Sequence, residues 1–124
     1  MLNYFYVMAG AAIGGLLRYV IADLVQRNSK IIFPFGTLTV NILGSFILGF
    51  VIFFLGEREI ISPELRLFLT VGICGGFTTF STFSYETLAL LQGAEFFQAA
   101  YNILLNVVLS IAAIYLAYLL SKIF

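Results

Sequence analysis

Hydrophobic residues occur along the chain in four long segments separated by short polar connections. The segments cover residues 4–24, 36–55, 64–91 and 96–123. A helix needs about 20 apolar residues to cross a bilayer, so the pattern predicts an all-α membrane protein with four transmembrane helices. The connections are too short to form another folded unit, and we expect one transmembrane domain covering residues 1–124.

The third segment is longer than a straight crossing needs, and its centre is polar for a transmembrane helix. Residues 72–86 read Gly-Ile-Cys-Gly-Gly-Phe-Thr-Thr-Phe-Ser-Thr-Phe-Ser-Tyr-Glu. Glycines followed by hydroxyl residues at membrane depth are typical of an interrupted helix. We therefore predict two half-helices joined by unwound residues 75–78. Because freed backbone is tolerated only inside protein or along a cavity, we expect this segment to hold or pass something polar.

Composition supports a membrane protein and excludes several other classes. Of the 124 residues, 62% are hydrophobic and 10% are charged. A soluble domain of this size has no interior large enough for so many apolar side chains. The net charge of +0 argues against a nucleic-acid partner. With no histidine and one cysteine, Cys74, disulfide frameworks and cysteine–histidine metal sites are excluded. No nucleophile–base pair or phosphate-binding loop is present, so we do not expect an enzyme.

Polar residues repeat at every fourth position in two of the segments, which places each set on one helical face. The sets are Thr37, Asn41 and Ser45 in the second segment, and Asn102, Asn106 and Ser110 in the fourth. Both faces are expected to point into the bundle. Asn41 is open to two interpretations: its amide ties two helices together, or its N–H groups donate to a passing anion.

Aromatic and hydroxyl residues alternate after the glycines of the third segment. Phe80 and Phe83 are three residues apart, so their rings lie on adjacent turns of one side. Such rings most often face lipid or fill a core. Here Ser81 and Thr82 are interleaved with them, and hydroxyl groups are not expected to face lipid. The alternation therefore favours the lining of a polar space.

Among the charged residues of the expected helices, Arg18 and Glu86 are each open to two interpretations. Arg18 either snorkels to the membrane surface or makes an aqueous vestibule electropositive. Glu86 lies four residues after Thr82 and therefore on the same helical face. It is either a vestibule residue or a proton carrier.

The basic residues give almost no preference for one orientation in the membrane. The side with both termini and the middle connection has Arg58, Arg66 and Lys122, and the other side has Arg27 and Lys30. So small a difference permits insertion in both orientations. Four short helices do not easily enclose a pathway, and a two-fold pair doubles the available walls. The sequence therefore predicts an antiparallel, dual-topology homodimer.

The two-fold axis of such a dimer is expected to place residues 75–78 against their copies. Facing carbonyl groups are natural ligands for a small cation. The alternative is that these carbonyls bond to each other or to water.

Three motifs occur in order along the chain. They are Gly-Ala-Ala-Ile-Gly-Gly-Leu-Leu-Arg-Tyr at 10–19, Gly-Thr-Leu-Thr-Val-Asn-Ile-Leu-Gly-Ser at 36–45, and Gly-Gly-Phe-Thr-Thr-Phe-Ser-Thr-Phe at 75–83. Together they resemble the CrcB/Fluc fluoride channels of bacteria, and the resemblance covers essentially the whole chain. It implies an antiparallel dimer in the bacterial inner membrane, with two fluoride pores and a central structural sodium ion. The implied function is fluoride export, which lowers fluoride toxicity in the cytoplasm.

The resemblance also implies roles for single residues. Phe80 and Phe83 match pore-lining phenylalanines, and Asn41 matches the pore asparagine of the second helix. Gly75 and Thr78 match the positions whose backbone carbonyls hold sodium.

By the same resemblance, Ser81 and Thr82 match a hydroxyl-lined track, and Arg18 matches an arginine whose role is left open. Fluoride is the most strongly hydrated halide and crosses only where donors replace its water. Hydroxyl and amide groups are such donors, and the edges of phenyl rings carry the positive end of the ring quadrupole. The chemistry of these residues therefore agrees with the resemblance.

Two other functions stay open at the level of sequence. A small proton-coupled multidrug exporter shares the length and the four spans, but it needs an acidic residue deep in the membrane. Glu86 is the only stand-in for that residue. An anchoring or assembly subunit without transport leaves the alternation of phenylalanine and hydroxyl residues unexplained.

Overall fold

The computed structural model describes residues 1–124 and consists of four long helices with short connections. Helix α1 covers Leu2–Arg27, α2 Phe35–Gly56, α3 Pro63–Gln92 and α4 Phe96–Ile123. Each is long and apolar enough to cross a membrane. The prediction of an all-α architecture with four spanning helices is confirmed, and the chain is a multi-pass membrane protein.

The interior of a single copy is small. Only 22 of the 124 residues are buried, while large apolar side chains point outward from every helix. Small residues account for much of the interior, including Ala99, Ala113 and Ala117 on α4. Lipid tails solvate apolar side chains as well as a protein core does, so helices in a membrane associate through close packing of small residues.

Helix α1 lies against the first half of α3 with the two backbones in contact. Gly10 and Gly14 are the buried residues of α1, and a Cβ atom added at Gly10 would lie 2.5 Å from the Phe68 carbonyl oxygen. A Cβ atom added at Gly76 of α3 would lie 2.7 Å from the Ala11 carbonyl oxygen. Close approach of the helices therefore requires glycine at these positions.

Helix α2 packs against α4, also through small residues. Gly49 lies against Ala117, and a Cβ atom added at the glycine would be 2.9 Å from the alanine Cβ. Val40 and Asn102, one from each helix, are the largest side chains of the chain that are fully buried.

Two π-helical stretches, whose turns are wider than those of an α-helix, occur in α2 and α3, at Val51–Gly56 and Phe68–Cys74. In these turns an amide bonds to the carbonyl five residues back, as Glu57 N–H does to Ile52. Such turns change the direction and the facing of a helix. The sequence pattern did not predict them.

Helix α3 is interrupted at residues 78–80. The first half stays helical through Phe77, and Thr78 is extended, with φ −86° and ψ 158°. The second half begins at Ser81. The prediction of a broken third helix is confirmed.

The break is predicted at residues 75–78, and this prediction is wrong for Gly75 and Gly76, which are helical. Gly75 is helical, with φ −62° and ψ −38°, and the helix continues through Gly76. The physical reason is that Gly76 provides contact with α1, and that contact needs a regular helix with a small surface. The chain leaves the helix only at the threonines that follow.

The glycine contact between α1 and α3 predicts different effects at two adjacent positions. A Cβ atom at Gly14 would overlap the Ile73 carbonyl, whereas one at Gly15 meets nothing within 4 Å. We expect Gly14→Ala to destabilise the purified protein by about 1–3 kcal/mol, the usual effect of overpacking, and Gly15→Ala to leave stability unchanged. Unfolding in detergent, followed by circular dichroism, measures both. Equal stability of the two variants would contradict the close contact.

Candidate functional site at the break in the third helix

The backbone of Thr79 in the break is held by the side chain of Asn41 on α2. Thr79 N–H donates to Asn41 Oδ1 at 2.8 Å, and Asn41 Nδ2 donates to the Thr79 carbonyl at 3.1 Å. In a continuous helix this N–H would donate to the carbonyl of Gly75. One asparagine therefore replaces both helical partners of the interrupted peptide.

Asn41 is also bonded to α4, because its Nδ2 donates to Asn106 Oδ1 at 2.9 Å. Both N–H groups of its amide thus have acceptors within the chain. Of the two interpretations of Asn41 from sequence, the structure shows the first: its amide ties α2 to both α3 and α4. A role toward an anion stays a prediction.

Thr79 is the centre of a second set of hydrogen bonds within α3. Its Oγ1 accepts from Thr82 N–H at 3.1 Å and donates to Thr82 Oγ1 at 3.1 Å. Ser81 Oγ lies 3.4 Å from the same hydroxyl. Thr79 therefore caps the second half-helix, as threonine does when it precedes a helix start by this spacing.

Sequence reasoning missed the importance of Thr79. The pattern does not single out Thr79, because the break is predicted at residues 75–78, before it. The signal was present in the three-residue spacing between Thr79 and Thr82, which is the spacing of a cap and the amide it binds.

Phe80 and Phe83 are brought together as predicted from their spacing. Their ring centroids are 5.4 Å apart, with an angle of 56° between the planes. Phe83 is buried, whereas Phe80 keeps 77% of its surface exposed. In a single copy of the chain, Phe80 therefore projects outward from the break.

Two cavities meet at the break. The first, which we call the aromatic cavity, has a volume of about 430 Å³ and is lined in part by Phe80, Phe83, Asn41, Ser45 and Ser110. The second, the charged cavity, has a volume of about 370 Å³ and is lined in part by Arg18, Asp23, Thr37, Thr82 and Glu86. Thr79 lines both cavities. Thr79 therefore separates the two cavities, and Asn41, which is bonded to it, lines the aromatic cavity; we call this bonded pair the wall.

The charged cavity contains one basic and one acidic side chain, each with a buried polar atom that has no hydrogen-bond partner. Arg18 Nε and Glu86 Oε1 are buried, and neither makes a hydrogen bond. Asp23 is different, since it forms an ion pair with Arg27 at the surface. The structure therefore brings the two predicted vestibule residues, Arg18 and Glu86, to one cavity with unused hydrogen-bonding capacity.

The carbonyls of Gly75 and Thr78 both lose the amide that a continuous helix would supply. The Thr79 N–H, which would bond to Gly75, is donated to Asn41. The Thr82 N–H, which would bond to Thr78, is donated to the Thr79 hydroxyl. Gly75 and Thr78 both line the aromatic cavity. Freed backbone oxygens are ligands that suit a small hard cation, so these two residues fit the predicted sodium site.

The four spanning helices and the polar cavities at the break define a multi-pass membrane protein with an intramembrane site. The family model described as CrcB-like protein, Camphor Resistance (CrcB), matches residues 5–118. Three relatives named fluoride-specific ion channel FluC align over 116 residues, which is 94% of this chain and 93% of each relative. Those of Shewanella amazonensis and Shewanella halifaxensis are 48% identical to the chain, and that of Shewanella denitrificans is 46% identical.

The chain belongs to the CrcB family. The resemblance found in the three sequence motifs is confirmed.

The bonds of Asn41 predict a local effect of its removal. In Asn41→Ala the N–H and carbonyl of Thr79 lose their partners, and each unsatisfied buried group costs about 1–3 kcal/mol. We expect faster hydrogen–deuterium exchange at the amides of Thr79 and Thr82, with little change in α1. Mass spectrometry of the protein in detergent measures the exchange.

The control for this experiment is Ser45→Ala. Ser45 lies one turn further along α2 and lines the same aromatic cavity, but it is not among the partners of Thr79. Unchanged exchange in Asn41→Ala, or an equal change in Ser45→Ala, would contradict the assigned role.

Proposed function

We propose that this protein conducts fluoride across a membrane. The observation that carries the proposal is the 48% identity over 94% of the chain to relatives named fluoride-specific ion channel FluC. The physiological role we assign is export of fluoride through the bacterial inner membrane, which lowers fluoride toxicity. The exporter alternative has no support among these relatives, whose name is that of an ion channel, and no enzymatic activity is proposed.

The proposed path leads from the charged cavity, past the wall of Asn41 and Thr79, into the aromatic cavity. Buried Arg18 Nε has no hydrogen-bond partner and attracts an anion into the charged cavity. The hydroxyl of Thr82, which lines this cavity, then supplies a donor in place of water. Ser81 lines neither cavity; its hydroxyl lies 3.4 Å from that of Thr79 and is proposed as a donor at the wall.

At the wall, the anion accepts a hydrogen bond from an N–H of Asn41. In the structure this N–H donates to the amide oxygen of Asn106, which the anion replaces as acceptor. Beyond the wall, the ring edges of Phe80 and Phe83 face the anion. Edge contacts are weak, so the ion is passed on without being trapped. Weak sites in series allow both binding and release.

The proposed unit is an antiparallel homodimer with two pores. Phe80 is 77% exposed although it lines a cavity that also contains Asn41 and Ser110. A polar cavity open to lipid is unfavourable, and a second copy of the chain provides the missing wall. The near-equal numbers of basic residues on the two sides of the membrane allow the two copies to insert in opposite directions.

The dimer is further proposed to contain one structural sodium ion at its centre. Carbonyl oxygens of Gly75 and Thr78, which have lost their helical amides, would hold it from both copies. When bound, the ion would offset the repulsion between the carbonyl oxygens that the two copies contribute.

The role of the rings and the amide predicts loss of fluoride transport in two variants. We expect Phe80→Ile and Asn41→Asp to slow fluoride efflux from proteoliposomes by about tenfold or more, which corresponds to about 1.4 kcal/mol in the barrier. Isoleucine has no ring edge, and a carboxylate has no N–H to donate. A fluoride electrode measures the efflux.

Phe97→Ile is the matched control, because Phe97 on α4 is 80% exposed and thus resembles Phe80 in exposure, yet it lies outside the aromatic cavity. Wild-type efflux in Phe80→Ile and Asn41→Asp, or an equal loss in Phe97→Ile, is the outcome that contradicts the proposed path.

Dual topology predicts that each connection is accessible from both faces of the membrane. Lys30 and Glu57 lie in exposed connections on opposite sides of the bundle, while Cys74 is buried. We expect single cysteines introduced by Lys30→Cys and Glu57→Cys to be labelled by an impermeant maleimide on both faces, in similar amounts. Labelling of each cysteine on one face only would exclude the antiparallel arrangement.

A structural sodium ion predicts cation-dependent stability. Ligand binding stabilises the folded state by about 2.7 kcal/mol at a concentration one hundred times the dissociation constant. The unfolding temperature in detergent should therefore rise when N-methylglucamine is replaced by sodium at constant ionic strength. An unfolding temperature that is the same in both salts argues against the sodium site.

A further inference from the structure

Buried side chains connect the second half of α3, through α4, to Asn41 in one chain of hydrogen bonds. Thr87 Oγ1 donates to the Phe83 carbonyl at 2.8 Å and accepts from Asn102 Nδ2 at 2.9 Å. Asn106 Nδ2 donates to the Oδ1 and to the backbone carbonyl of Asn102, each at 2.9 Å. Asn106 Oδ1 then accepts from Asn41. We call Thr87, Asn102 and Asn106 the amide relay.

The bonds of the amide relay have one direction. The Thr87 proton is given to a carbonyl, so the Thr87 oxygen acts as an acceptor toward Asn102. Asn102 must then turn its NH₂ toward Thr87 and its oxygen toward Asn106. An asparagine amide has one donor end and one acceptor end, so the same argument orients Asn106 and then Asn41.

The orientation that the amide relay gives to Asn41 is the one in which it can bond to both the N–H and the carbonyl of Thr79 in the break of α3. Asn41 turns its NH₂ toward Asn106 and its Oδ1 toward Thr79 N–H. With the amide reversed, Asn41 would direct its NH₂ at the Thr79 N–H and its oxygen at the Thr79 carbonyl. Both contacts would be repulsive.

Two members of the amide relay are buried away from both cavities. Asn102 is 0% exposed and Thr87 is 9% exposed, and neither lines the aromatic or the charged cavity. Buried polar groups in a low dielectric keep a single bonded arrangement, because each lost bond leaves an unsatisfied group. Their effect on the site is therefore transmitted through Asn106.

We propose that Thr87 and Asn102 are positioning residues that fix the direction of the Asn41 amide. The consequence for transport rests on the proposed function. A firmly directed Asn41 presents N–H groups to fluoride. Without the support of Asn102 and Asn106 its amide is held only by the two bonds to Thr79, and its direction is less firmly fixed. Loss of Thr87 or Asn102 therefore lowers fluoride conduction, although neither residue lines the path.

The direction of Asn41 is measured by nuclear magnetic resonance of protein labelled with ¹⁵N at asparagine. The chain has five asparagines, and the Asn41 signals are identified by their loss in Asn41→Ala. In Thr87→Val, which removes the acceptor but keeps the shape of the side chain, we expect these signals to shift. Their exchange with deuterium should accelerate by about fivefold, the effect of losing one hydrogen bond.

Thr39→Val is the matched control for Thr87→Val. The Thr39 hydroxyl donates to the Phe35 carbonyl four residues back, at 2.8 Å, which is the local bond that Thr87 makes to Phe83. Thr39 lies outside the amide relay, so its change should leave the Asn41 signals in place. The conservative variant Thr87→Ser keeps the hydroxyl and should retain the wild-type signals.

Fluoride efflux from proteoliposomes, normalised to folded protein, gives a second measurement on the same variants. We expect Thr87→Val to lower efflux several-fold relative to Thr39→Val, with recovery in Thr87→Ser. If the wild-type protein passes no fluoride, the proposed function fails, and the resonance measurement still decides the role of the amide relay.

A second variant, Asn102→Leu, removes the central link and tests the proposal independently if Thr87→Val does not fold. Unshifted Asn41 signals in both variants, or an equal shift in Thr39→Val, would overturn the proposal. So would rapid deuterium exchange of the Asn41, Asn102 and Asn106 side-chain amides in the wild-type protein, at the rate of exposed Asn3 and Asn28.

Discussion

The N–H and carbonyl of Thr79, where α3 is interrupted, need hydrogen-bond partners inside an apolar bundle. The arrangement of the rest of the site depends on the bonds that Asn41 supplies to them. At membrane depth no water is available to satisfy a free N–H or carbonyl. Asn41 supplies an acceptor and a donor to the same residue, and Asn106 fixes Asn41 in turn. The N–H and the carbonyl of Thr79 are therefore satisfied by a side chain from α2 that is itself held by α4.

This arrangement has consequences on both sides of the break. Because the Thr79 amide donates to Asn41 and the Thr82 amide donates to the Thr79 hydroxyl, the carbonyls of Gly75 and Thr78 are left without their helical partners. The same bonds place a polar wall between a cavity with charged groups and a cavity with two rings. The structure thus combines, within a few residues, hydroxyl and amide N–H donors with backbone carbonyls that have no helical partner.

The features that sequence predicted correctly are those that depend on residues close together in the chain. Apolar length predicts the four spans, and the spacing of Phe80 and Phe83 predicts their contact. The exact end of the first half of α3 was misplaced because the glycines suggested unwinding, although Gly76 serves contact with α1. The partner of Thr79 is 38 residues away, and no periodic pattern relates the two. Long-range bonds of this kind, together with the wide turns in α2 and α3, need the fold to be known.

The central claim is that the rings and hydrogen-bond donors around the Asn41–Thr79 wall form a path selective for fluoride. Halide efflux from proteoliposomes that contain only the purified wild-type chain tests it most directly. The account predicts rapid efflux of fluoride and chloride efflux no faster than from liposomes without protein. Equal rates for the two halides, or fluoride efflux at the rate of protein-free liposomes, would contradict it.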